Sequence, residues 1–153
     1  MVTESEILNH SEEPDWIKKS IEIKASDDKV WEVLTTGDMV TEWAAPFGLG
    51  TTVESHWTEN APVTWKDGNG NHIMKGKVEI SYPAKMLKVG FYEGINTGED
   101  DELGEYKEHY LLSEREGKTT LRIESGPLTD EYIEKVSPQW DSALTIIKTL
   151  SEK

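Results

Sequence analysis

Glu108 is the residue whose type and placement point most directly to chemistry. In the run Tyr106–Leu112 it shares strand parity with Tyr106, Tyr110 and Leu112. If that face turns inward, a carboxyl among two phenols and a leucine loses its water, and desolvation raises its pKa. A carboxyl tuned in this way can serve as general acid or base, or can bind an amine. The competing reading is a solvated place at an open mouth, or a lysine partner, so Glu108 is a weak catalytic candidate. Ser55 and Ser125 also share parity with apolar neighbours. They could donate to a ligand, although serines in such places more often satisfy backbone or a buried water.

The aromatic residues form the second set. Six are Trp and only two are Phe, so much of the aromatic bulk carries an N–H that wants an acceptor. Trp43 and Phe47 flank a turn at Pro46; Trp57 and Trp65 sit on the apolar parity of neighbouring strand-like runs; Trp31 and Trp140 sit on helical stripes and read as core. Large rings bearing an N–H suit an aromatic or amphipathic ligand, or simply fill a core.

Other chemistries are poorly supported. Asp67-x-Asn69-x-Asn71 begins like a calcium loop, but the sixth position is His72 and the twelfth is Val78, so it reads as a turn. His10, His56, His72 and His109 lack the spacing of a zinc helix, and there are no cysteines for thiolate ligation or nucleophilic catalysis. Phosphate-loop and nucleophile-elbow patterns are missing. Neither a metal nor a cofactor is expected.

The elements that must position these residues follow from periodicity. Trp16–Ala25 alternates and reads as a strand. Ser26 is placed to cap a short helix over 27–35, with Asp27 and Asp28 in its first turn and Gly37 ending it. Asp38–Trp43 allows a further turn or two before Pro46. A run of strands comes next: Val53–Trp57, Val63–Trp65, Met74–Tyr82, Leu87–Phe91, Tyr106–Leu112 and the return through Leu121 and Ile123. Gly76 removes a side chain from the middle of the most regular strand, which leaves space or permits close backbone approach. Glu93–Gly104 is a loop with four consecutive acids at 99–102. Tyr132, Val136, Trp140, Ala143, Leu144, Ile147 and Leu150 form one apolar stripe of a C-terminal helix, which Pro138 either kinks or begins. Hairpin spacing makes the sheet antiparallel, so the class is α+β: a curved sheet of about six to seven strands around a long C-terminal helix.

At 153 residues the chain suits one domain, taken as 16–153 behind a flexible arm at 1–15. With 30 Asp and Glu against 16 Lys and Arg, the net charge is −14, which disfavours nucleic acid and anionic membrane as partners. The polar, acidic start is not a signal peptide and no apolar run is long enough to span a bilayer. A cytoplasmic location is the expectation.

The segments WIKKSIEIKASDDKVWEVLTT, TEWAAPFG, KGKVEISYPAKMLKV and QWDSALTIIKTL together resemble the START-like (SRPBCC) superfamily, in the branch named for the activator of heat-shock-protein-90 ATPase. The resemblance runs from Trp16 to Leu150. It implies a helix-grip (START-like, Bet v-like) fold with a cavity between the long helix and the sheet. It specifies activity poorly, since the superfamily has no universal catalytic motif. The implied ligand residues are Trp43 and Phe47 at the entrance, with Trp57, Trp65, Met74, Gly76, Tyr106, Glu108 and Tyr110 around the space. The function that asks least of these residues is binding a small hydrophobic or aromatic molecule. Alternatives are a polyketide cyclase or aromatase-like reaction in the same cavity, and a co-chaperone-like ATPase activator domain. For the last, a chaperone partner is not expected, because only about 15 residues precede the first strand, where the eukaryotic activator carries a separate domain.

Overall fold

The computed structural model describes residues 14–94 and 101–153. Strand β1 (Asp15–Ile23) leads into helices α1 (Asp27–Thr35) and α2 (Gly37–Trp43), then a 3-10 turn at Ala45–Phe47. Strands β2 (Thr52–Glu54), β3 (Pro62–Lys66), β4 (His72–Tyr82), β5 (Met86–Phe91), β6 (Lys107–Arg115) and β7 (Lys118–Leu128) come next, and helix α3 (Asp130–Ser151) closes the described chain. The sheet is antiparallel throughout its seven strands, in the order β1-β7-β6-β5-β4-β3-β2. Its first strand therefore pairs with its last, Ile23 opposite Thr119 and Asp15 opposite Leu128.

Local chemistry explains the boundaries. Ser26 Oγ accepts the Lys29 amide at 3.2 Å, which occupies one of the unpaired donors at the start of α1. The Asp27 carboxylate takes a 2.6 Å hydrogen bond from Lys85 of the β4–β5 turn, and the Lys85 ammonium holds that carboxyl below its ordinary value. The break after α1 belongs to Thr36, which is extended (φ −92°, ψ 124°); Gly37, expected to end the helix, instead begins α2. Asp67 Oδ1 accepts the amides of Asn69 and Asn71, so the calcium-like run is an Asx-type turn.

Three other expectations are corrected. The extended run at 53–57 stops at Glu54; Trp57 lies outside any strand with φ 56°, a costly left-handed conformation for a bulky residue. It is held by its own amide on Ser55 Oγ and by Ser81 Oγ donating to its carbonyl. In β4 the register slips between Val78 and Ile80. One extra residue reverses the faces beyond it, so Ile80 is partly exposed and Tyr82 is 65% exposed. Finally, Tyr132 is 55% exposed. Eight residues before Trp140, it falls about 80° around the helix from it, at the margin of the apolar stripe.

Helix α3 runs unbroken through Pro138, which neither begins nor ends it. Pro138 faces solvent, where water can meet the carbonyl that its missing N–H leaves free. The opposite face buries Trp140, Ala143, Leu144 and Ile147 against the sheet and against Val30, Val33 and Leu34 of α1. Each fully buried Leu, Ile or Val contributes about 1.5–3 kcal/mol relative to exposure. One end of this layer, from Trp140 toward Val136, does not close onto the sheet, and the candidate site lies there.

Candidate functional site

A cavity of about 200 Å3 lies between α3 and the β3–β4–β6 part of the sheet, bounded at one end by α2 and the 3-10 turn. Trp43 ends α2, and its Nε1 donates to the Val33 carbonyl at 3.0 Å, which fixes the ring. At 2% exposure it is a wall of the cavity rather than the entrance expected of it. Phe47 is only partly buried and meets the Trp140 ring edge-on, centroids 4.9 Å apart. Trp65 on β3 and Met74 on β4 are direct cross-strand partners and form the floor.

The polar part comes from β6 and β7. Glu108 is 7% exposed and sits opposite Ser125 in the ladder. Tyr106 donates its hydroxyl proton to Glu108 Oε2 at 2.8 Å, and Tyr110 donates to Oε1 at 3.1 Å. Tyr106 has a single proton, already given to Glu108, so in its 2.7 Å contact with Ser125 Oγ the serine donates. The result is a hydroxyl chain, Ser125 to Tyr106 to Glu108, with Tyr110 closing on the other carboxyl oxygen. Burial pushes the Glu108 pKa up, opposed in part by the two phenol donors. Burial and the adjacent carboxylate push both tyrosines well above their ordinary value. The solvated or lysine-paired reading of Glu108 is therefore replaced: it is buried and its partners are hydroxyls.

Seven of the expected residues thus come together: Trp43, Phe47, Trp65, Met74, Tyr106, Glu108 and Tyr110. Two do not. Trp57 borders a separate void of about 10 Å3 behind Trp43 and Trp65. Gly76 lies outside the lining, and a Cβ there would meet the Gly90 carbonyl oxygen at 2.1 Å and the Phe91 ring at 2.9 Å. Its missing side chain lets β4 and β5 approach rather than opening space. Ser125 joins the site through Tyr106, whereas Ser55 is spent on its local turn. Ala44, Thr51, Ile73, Val136 and Trp140 also line the cavity. Trp140 was legible as a buried helix residue, but periodicity carries no mark that separates a packed face from a cavity wall. The acid run at 99–102 lies partly outside the described residues. Among those described, no three His, Asp or Glu side chains cluster as a metal site, and no helix is long and apolar enough to cross a membrane.

Residues 24–152 match the family model for Activator of Hsp90 ATPase homolog 1-like protein. The chain belongs to that family. The Activator of Hsp90 ATPase homolog 1-like fold is shared with solved structures at low identity. Protein MLL2253 of Mesorhizobium loti superposes with a TM-score of 0.71 at 14% identity, over 89% of this chain and 96% of that one. The Aha1 dimer of Colwellia psychrerythraea gives 0.70 at 20%, over 90% and 96%. CalU16 of Micromonospora echinospora gives 0.65 at 18%, over 89% and 75%. These likenesses establish the helix-grip architecture for this family member. No curated protein gives a sequence match.

Proposed function

We propose that this chain binds a small apolar or aromatic molecule in the cavity beneath α3. The observation that carries the reading is a ring-lined space of about 200 Å3 with one buried carboxyl in its wall. Drug-sized sites run to about 300–1,000 Å3, so the fitting ligand has one or two rings. Burying about 200 Å2 of its apolar surface offers about 5 kcal/mol before ordering costs, which corresponds to a Kd of about 0.2 mM at best. Naphthalene or indole titrated into the protein should give a saturable calorimetric isotherm, and naphthalene should also change the tryptophan emission. Val136→Trp, which fills the space from α3, should remove the response while leaving the fold intact. Absence of saturation with both compounds would count against the reading.

A cyclase-type reaction in the same cavity is the second reading. The hydroxyl chain ending on Glu108 supplies the convergent polar groups that such a reaction needs. An enolisable 1,3-diketone should then exchange its C2 protons with deuterated solvent faster with wild-type protein than with Glu108→Gln. Equal rates would leave binding alone.

A further inference from the structure

The binding reading leaves the ligand's charge open, and the cavity wall bears on that charge; any choice of charge rests on the binding reading itself. Among the described residues lining the cavity and the void behind it, Glu108 is the only one with a formally charged side chain; no Lys, Arg or His is among them. The groups on its carboxyl are the phenols of Tyr106, just ahead of β6, and Tyr110 on β6; across the ladder stand Val89 of β5 and Ser125 of β7; from the helices Trp43 and Trp140 line the same cavity. None supplies a positive charge. Each carboxylate oxygen has room for two hydrogen bonds, and each receives one phenol proton.

The rings favour the same sign of ligand charge. Trp43 lies 6.4 Å from Trp140, stacked, and 6.3 Å from Trp65, edge-on, while Tyr110 stands 6.1 Å from Trp140. Aromatic faces are electron-rich and attract cations within about 6 Å of the ring centroid. An anionic ligand would place a second negative charge beside Glu108, and an uncharged hydrocarbon would leave the carboxyl with nothing but the two phenols. We propose that the cavity selects a small organic cation, an alkyl- or aryl-ammonium, with its nitrogen beside Glu108 and its carbon groups among Trp43, Trp65 and Trp140.

Cation binding is linked to the protonation of Glu108. The cation is held by the ionised carboxyl, so wherever Glu108 is protonated in the free protein, binding releases that proton to solvent. Affinity for the cation therefore rises with pH until Glu108 is ionised in the free protein, and is level above.

Phenyltrimethylammonium and tert-butylbenzene have the same shape and differ in charge, and the ammonium is charged at every pH. At pH 8 the wild-type protein should bind the ammonium about tenfold or more tightly than the hydrocarbon, as Coulomb attraction to a desolvated carboxylate implies. Affinity for the ammonium should fall on acidification, while affinity for the hydrocarbon should not. Glu108→Gln, checked for fold by near-ultraviolet circular dichroism, should lose the preference and keep the hydrocarbon. The wild-type pair and its pH dependence decide the matter even if that variant does not fold. Equal or tighter binding of tert-butylbenzene, or a preference that survives Glu108→Gln, overturns the charge assignment and leaves the cavity reading standing. Binding of neither compound overturns both.

Discussion

Trp140→Ala should cost the fold about 3–5 kcal/mol, the range of large aromatic truncations in cores. The indole is 2% exposed and meets three other rings: Phe47 at 4.9 Å, Tyr110 at 6.1 Å and Trp43 at 6.4 Å. Truncation to Ala opens about 140 Å3, and at about 24 cal/mol per Å3 of residual cavity this amounts to about 3.4 kcal/mol. An opposing effect acts at the ring nitrogen. Trp140 Nε1 is buried with no hydrogen-bond partner among the described residues, and a buried unsatisfied donor costs about 1–3 kcal/mol. Removing the ring removes that donor, which places the expected loss near the lower end of the range. Trp140→Phe separates the two effects. It removes the N–H and only about 40 Å3, so packing loss of about 1 kcal/mol is set against relief of similar size. Urea unfolding followed by circular dichroism, with m-values compared to confirm an unchanged unfolding surface, measures both variants. A loss below about 1 kcal/mol for Ala, or a loss for Phe as large as that for Ala, would refute the account of Trp140 as packed wall with an orphan donor.

Gly76→Ala should destabilise by about 3 kcal/mol or more, because the added methyl must push apart two backbones rather than a side chain; a urea midpoint within error of wild type would show that β4 and β5 can separate freely. Glu108→Gln should gain on wild type as pH rises from below 4.5, the ordinary value, to the raised value of the folded state, and then hold level. The sign comes from protons: the folded wild type binds more of them than the unfolded chain in that window, so its stability falls with pH while that of the variant does not. A gap of opposite sign in denaturant midpoints would contradict a desolvated carboxyl. Asp27→Asn should cost about 1 kcal/mol or less at pH 7, since Lys85 is half in water. The Asp27 carboxyl is held below 3.8, so its contribution is full above that pH and should vanish as pH falls through the depressed value; a difference that persists in acid would mean the ion pair is not its source.

The parts of the fold that were legible in the sequence rest on local rules. Ser26 with Asp27 and Asp28 announced a helix start through capping, and the parity of Tyr106, Glu108 and Tyr110 put three polar groups on one face, where they meet. Both signals act within a few residues. What was not legible involves register or approach between strands. The extra residue at 78–80 turned Ile80 and Tyr82 outward, and nothing in the alternating run announces it. Trp57 kept its alternation while the chain left the sheet at Glu54, because Ser55 and Ser81 offered its backbone other partners. Gly76 fitted a vacant space or a close approach equally well, and only the position of the Gly90 carbonyl decides between them. The contact of Ser125 with Tyr106 was hidden for the same reason: it comes from the neighbouring strand, 19 residues away.

The pairing of β1 with β7 has a consequence for synthesis on the ribosome. β1 emerges before every other strand, yet the strand that hydrogen-bonds to it lies about 100 residues downstream. At a translation rate of about 5–20 residues per second, β1 waits about 5–20 s before its partner is made. Meanwhile β2 to β6 can zip as successive hairpins, each strand meeting the one just made. The apolar faces of β1 and α1 are left without sheet or α3 to cover them until β7 and α3 leave the exit tunnel. For this topology, the window in which the nascent chain is most exposed to aggregation runs from the emergence of β1 until β7 and α3 have left the tunnel, and slowing translation ahead of β7 would lengthen it.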